Sequence, residues 1–117
     1  MRILIIGGPR TGKTTKAMEL AEGAITVHSL DNKLHTLAWS DHSSYAAKLL
    51  EQPGDWIVEG CAGVRGLRKY LAKGKVPDFD IIWLDRPWVE QTGGQRSYAA
   101  GCASIWKECQ QMIKEQK

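Results

Sequence analysis

The run Ile3-Leu4-Ile5-Ile6-Gly7-Gly8-Pro9-Arg10-Thr11-Gly12-Lys13-Thr14 decides the architecture of this chain. Four consecutive apolar residues suit a short strand buried on both faces, as in a parallel sheet. Residues 7–14 then fit the pattern G-x-x-x-x-G-K-[ST], in which a glycine-rich turn carries the chain from a buried strand into a helix. Gly7, Gly8 and Gly12 lack a Cβ, so the backbone can curl and approach an anion's oxygens closely. The helix that begins at Lys13 brings its positive dipole end to the same point. The expected binding set is Gly7, Gly8, Pro9, Arg10, Thr11, Gly12, Lys13, Thr14 and Thr15. Lys13 supplies a point charge for β- and γ-phosphates, Thr14 a hydroxyl for a bridging magnesium ion, and Thr15 a hydroxyl for the α-phosphate.

Working outward, the 117 residues suit one domain, 1–117, with a single core. The net charge of +3 comes from scattered lysines and arginines, so no basic block signals nucleic acid. The first apolar run breaks at Gly7-Gly8-Pro9, and no span approaches the roughly 20 apolar residues of a membrane helix, so a cytoplasmic protein without membrane contact is expected. Cys61, Cys102 and Cys109 contain no C-x-x-C pair and read as reduced, buried thiols. Trp39, Trp56, Trp83, Trp88 and Trp106 read mostly as core anchors; Trp39 and Trp88 border expected loops and are candidates for stacking on a base or for rim packing.

The spacing predicts a strand over 2–6, then a helix over 13–22 with Ala17, Leu20 and Ala21 facing inward and Gly23 closing it. A short strand over 24–27 leads into the polar stretch His28-Ser29-Leu30-Asp31-Asn32-Lys33. Ser40 or Asp41 caps a helix carrying Tyr45, Ala46, Leu49 and Leu50 at helical spacing, stopped by Pro53-Gly54. Trp56-Ile57-Val58 reads as a buried strand, 63–72 as a helix, 81–84 as the next strand, and 97–115 as a long amphipathic helix. Apolar strands alternating with helices predict an α/β fold with a parallel sheet covered on both sides, and ligands bind at the carboxyl ends of such strands. The polar residues to examine are therefore 7–14, His28 and Asp31, Glu59, and Asp85 with Arg86.

Taken in order, the loop, then Trp56-Ile57-Val58-Glu59-Gly60 with Arg65 and Arg68, then Asp80-Ile81-Ile82-Trp83-Leu84-Asp85 with Arg96, resembles the nucleoside and nucleotide kinase group of P-loop proteins. The resemblance implies a three-layer P-loop NTPase fold whose short parallel sheet, about four-stranded, is flanked by helices. It also implies ATP and magnesium as cofactors and γ-phosphoryl transfer to a small-molecule acceptor. In that group the third strand often ends in an acidic residue and glycine, followed by arginines that hold a phosphate acceptor, and the fourth strand leads to a lid bearing arginines. Short P-loop proteins of this build also occur in bacteriophages. The chain departs from the pattern in being shorter, with a brief segment after Asp85 and only Arg86 and Arg96 as lid arginines.

Phosphoryl transfer needs positioning and charge neutralisation, so the expected parts are a metal-side carboxylate and cations around the transferred group. The candidate catalytic set is Lys13, Glu59, Asp85 and Arg65, with Thr14 and Glu59 at the metal. Asp85 follows four apolar residues in the Walker B manner, whereas Glu59-Gly60 matches the kinase-type third strand and is favoured. Arg65 and Arg68 lie three apart, forming either a fork toward an acceptor phosphate or, with Lys69 and Lys73, a solvated basic face. Arg10 is placed to cover the phosphates. Asp31 and Asp41 are candidate bases, with a helix cap the stronger role for Asp41. His28, His35 and His42 lack a metal-ligand spacing. Two alternatives stand beside the kinase: an ATPase using water, and a nucleotide-binding interaction module with a protein partner and no turnover. No N-K-x-D motif supports guanine.

Overall fold

A computed structural model of the protein describes residues 1–30, 41–87 and 90–116. The described elements are β1 (Arg2–Gly7), α1 (Lys13–Ala21), β2 (Val27–Ser29), α2 (His42–Leu50), β3 (Trp56–Glu59), α3 (Gly63–Ala72), β4 (Asp80–Leu84) and α4 (Gly93–Glu115). The strands form one parallel sheet in the order β2-β3-β1-β4. The α/β class with a short all-parallel sheet is therefore as expected. β1 lies between β3 and β4, which is why Ile3, Leu4, Ile5 and Ile6 are all buried.

Alternation of side chains sorts the strands into two faces. On one face Leu4, Ile6, Trp56 and Val58 meet α2, α3 and α4 in a cluster that includes Leu67, Tyr70, Phe79 and Cys109. Phe79 packs against Trp56 and Tyr70 with ring centroids 5.5 and 5.4 Å apart, and Trp83 stacks on Trp106 at 5.7 Å. The close approach of α2 and α3 depends on Gly66, where a Cβ would stand 2.4 Å from that of Ala46. On the other face Ile3, Ile5 and Ile57 pack against Ala17 and Ala21 of α1, with Ile82 and Leu84 only half-buried. Cys61, Cys102 and Cys109 are buried.

β2 and the start of α4 differ from expectation by more than one residue. β2 occupies Val27–Ser29 rather than 24–27. Glu22 and Gly23 both adopt positive φ (49° and 74°), and the Ala24 N–H bonds the Ala21 carbonyl, so the turn consumes residues that apolar content alone assigns to a strand. α4 starts at Gly93, four residues before 97, because Thr92 and Gln95 form a reciprocal capping box. Asp41 holds the N-cap position of α2 without a side-chain cap bond. The expectations for Asp31, His35, Trp39, Ser40 and Trp88 lie outside the described residues. No described helix is long and apolar enough to cross a membrane.

Candidate functional site

The loop after β1 is shaped by its closeness to β4. A Cβ on Gly7 would lie 2.2 Å from the Leu84 carbonyl oxygen, so only glycine fits where β1 leaves the sheet. Arg10 (φ 61°) and Gly12 (φ 84°) then turn the chain through the left-handed region before α1 begins at Lys13. Gly12 provides no side-chain cap, so the first-turn N–H groups of α1 remain donors for an incoming anion.

Lys13 is 5% exposed, and its Nζ donates to the Gly8 carbonyl at 2.6 Å and to Thr11 Oγ1 at 3.4 Å. Thr11 Oγ1 donates to the same carbonyl at 2.9 Å. Among the described residues no carboxylate pairs with Lys13. A buried ammonium held only by neutral oxygens attracts an anion, since burial without a counter-charge is costly.

The carboxyl ends of β2 and β3 meet this loop. Register sets Ser29 beside Glu59 and Glu59 beside Ile5, all on the α1 face. Glu59 is fully buried, and its Oε2 accepts from Thr14 Oγ1 and Ser29 Oγ, each at 2.7 Å. Its Oε1, equally buried, has no hydrogen-bond partner among the described residues. Because a carboxylate only accepts, both hydroxyl protons point to Oε2, and the Thr14 oxygen keeps its lone pairs for a cation. Among the described residues no three His, Cys, Asp or Glu cluster. A cation here would draw on one carboxylate, one hydroxyl, water and ligand oxygens, the coordination magnesium prefers.

Beside the loop lies a cleft of about 370 Å³ lined by Pro9, Arg10, Lys13, Cys61, Gly94, Gln95 and Tyr98. Among the described residues that line it are two cations, Arg10 and Lys13, and no carboxylate. The start of α4 is clipped onto the loop: Arg10 Nε donates to Gln95 Oε1 at 3.1 Å, and the Gln91 amide donates to the Pro9 carbonyl. Arg96 Nη1 donates to the Gln91 carbonyl at 2.7 Å. Behind the cleft the Arg65 guanidinium sits 5.4 Å from the centroid of the Tyr98 ring.

The structure thus brings together Gly8, Pro9, Arg10, Thr11, Lys13, Thr14 and Glu59. Thr15 is exposed on α1, and Asp85 and Arg86 are exposed beyond β4. The fork of Arg65 and Arg68 does not form: Arg68 pairs with Glu108 at 3.1 Å, and Lys69 donates to Ser44 at 2.7 Å. Both are drawn to neighbouring helices because α3 packs between α2 and α4. Ser29, Cys61, Gln91, Gln95 and Tyr98 escaped the reading of the sequence. The spacing Thr92-x-x-Gln95 is a legible cap signal for Gln95; the others carry no local signature.

No protein-family model matches the chain, and no curated protein matches it significantly.

Proposed function

We propose that the chain is a single-domain P-loop nucleotide-binding protein that binds ATP with magnesium and transfers the γ-phosphoryl group to a small acceptor. The observation that carries the reading is the 2.7 Å hydrogen bond from Thr14 to the buried Glu59. It joins the end of a glycine-rich loop to a strand-end carboxylate, the pair a metal–triphosphate complex requires.

Each residue's part follows from its place. The N–H groups at the start of α1 and along the loop receive phosphate oxygens. Lys13 exchanges the Gly8 carbonyl for a charged oxygen, and charge-assisted hydrogen bonds are the stronger kind. The orphaned Oε1 of Glu59 and the lone pairs of Thr14 fit a magnesium ion, which these two residues would hold. Magnesium, when bound, neutralises charge on the phosphate oxygens and fixes their orientation. The cleft of about 370 Å³, with Arg10 and Lys13 in its lining, suits a compact anionic acceptor group beside the loop. Arg65 backs that space through Tyr98. Catalysis on this plan is positioning and charge compensation.

A nucleotide-binding module without turnover draws support from the brevity of 85–92 and from Arg96, whose guanidinium is engaged by the Gln91 carbonyl. An ATPase would place water where the acceptor binds. Titration calorimetry of ATP, ADP and GTP with and without magnesium, on wild type and Lys13→Ala, tests the binding. Magnesium-dependent ATP binding that the substitution removes is expected; equal affinity in both proteins would overturn the loop assignment. ADP release across a panel of phosphorylatable acceptors then separates the kinase from the module, which binds and releases nothing.

A further inference from the structure

We propose that Ser29 is a positioning residue: its hydroxyl, with that of Thr14, holds the Glu59 carboxylate by Oε2 and so keeps Oε1, which has no hydrogen-bond partner among the described residues, available for a magnesium ion. The proposal rests on the magnesium–nucleotide reading above and adds a third group to it.

Ser29 ends β2 as the register partner of Glu59, so the parallel ladder itself sets the two side chains side by side. Its Oγ donates to Oε2 at 2.7 Å, matching the bond from Thr14. Two donors on one oxygen leave Oε1 as the open acceptor of a fully buried group. The two hydroxyls are not equivalent. Thr14 is itself exposed, in the first turn of α1, and has a second duty, because its oxygen is also the candidate ligand. Among the described residues Ser29 Oγ donates to the carboxylate alone, and Ser29 is held in the sheet. Outer partners of this kind orient a ligand without touching the metal, and losing one typically weakens metal affinity about 10–100-fold.

The experiment uses the full chain and the variants Ser29→Ala, Ser29→Thr, Glu59→Gln and Ser29→Ala/Glu59→Gln. ATP binding is measured by calorimetry across a magnesium series and in EDTA, manganese binding to the ADP complex by electron paramagnetic resonance, and folding by thermal melting. Ser29→Ala is expected to raise the magnesium and manganese concentrations for half-saturation about tenfold or more, with EDTA-state binding unchanged. Ser29→Thr, which keeps the hydroxyl, restores the wild-type dependence, and Ser29→Ala adds nothing on the Glu59→Gln background. If Ser29→Ala melts early, Ser29→Cys carries the same test, since a thiol is a weak donor of similar size. Metal dependence superimposable on wild type overturns the role of Ser29 while leaving the nucleotide reading intact. An equal loss in EDTA also overturns it, because the residue then shapes the loop. A wild type that shows no metal-dependent binding overturns both, and that control alone reports it.

Discussion

The sheet face under α2, α3 and α4 buries Trp56, Leu67, Tyr70 and Phe79 in one apolar cluster. The face under α1, among the described residues, buries the smaller cluster of Ile3, Ile5, Ile57, Ala17 and Ala21, and it ends in the polar row of Thr14, Glu59 and Ser29. Adjacent residues of β3 take opposite parts in this division: Val58 points into the large core and Glu59 into the row. Pleating makes such a division cheap, because successive side chains leave a strand on opposite sides. One face then supplies most of the apolar burial, and the thinner face is left to tolerate a buried carboxylate and its hydroxyls.

The sharpest way to break this comparison is from the thick face. Leu67 is fully buried in α3, so Leu67→Ala should lower unfolding free energy by about 2–5 kcal/mol in urea titration. ATP affinity of the folded fraction should stay unchanged; a parallel loss of affinity would show the two faces to be coupled. From the thin face the pattern reverses. Glu59→Gln should weaken magnesium-dependent binding about tenfold or more without lowering the melting temperature, since it removes a buried charge while keeping an acceptor for both hydroxyls. Asp85→Asn, at an exposed position, should change that binding less, and the opposite order would move the metal-side role to Asp85.

A smaller effect belongs to the thick face alone. Burial pushes the Cys109 thiol up from 9.0 to about 11, the neighbouring Arg68 opposing and Glu108 adding to the shift. The unfolded thiol ionises first, so its contribution is complete below pH 9 and is lost as pH rises toward 11. Cys109→Ala should remove on the order of 1–2 kcal/mol of the alkaline decline in stability, and an unchanged pH profile would refute the burial argument.

Legibility in the sequence followed the range of the interactions. The boundaries of α3, 63–72, and the start of α1 at Lys13 were readable because apolar spacing and glycine placement are local. β2 starts later than composition suggests because Glu22, a non-glycine residue with no local mark, joins Gly23 in the left-handed region and lengthens the turn, and Ser29 therefore reads as part of a polar connection. Arg68 reads from spacing either as one arm of a fork toward an acceptor phosphate or as part of a solvated basic face; its exposed pairing with Glu108, 40 positions away, is a contact that spacing does not encode.

By itself the sequence determined the glycine-rich loop, the alternation of strand and helix, and hence a parallel α/β sheet, since each depends on contiguous residues and their backbone preferences. Only the tertiary structure decided that Thr14 and Ser29 share one oxygen of Glu59 and that α4 starts against the loop. Those contacts join residues 30 to 82 positions apart. The Ser29–Glu59 contact hangs on strand register: a slip of one residue would turn Glu59 to the opposite face, and no local pattern encodes that choice.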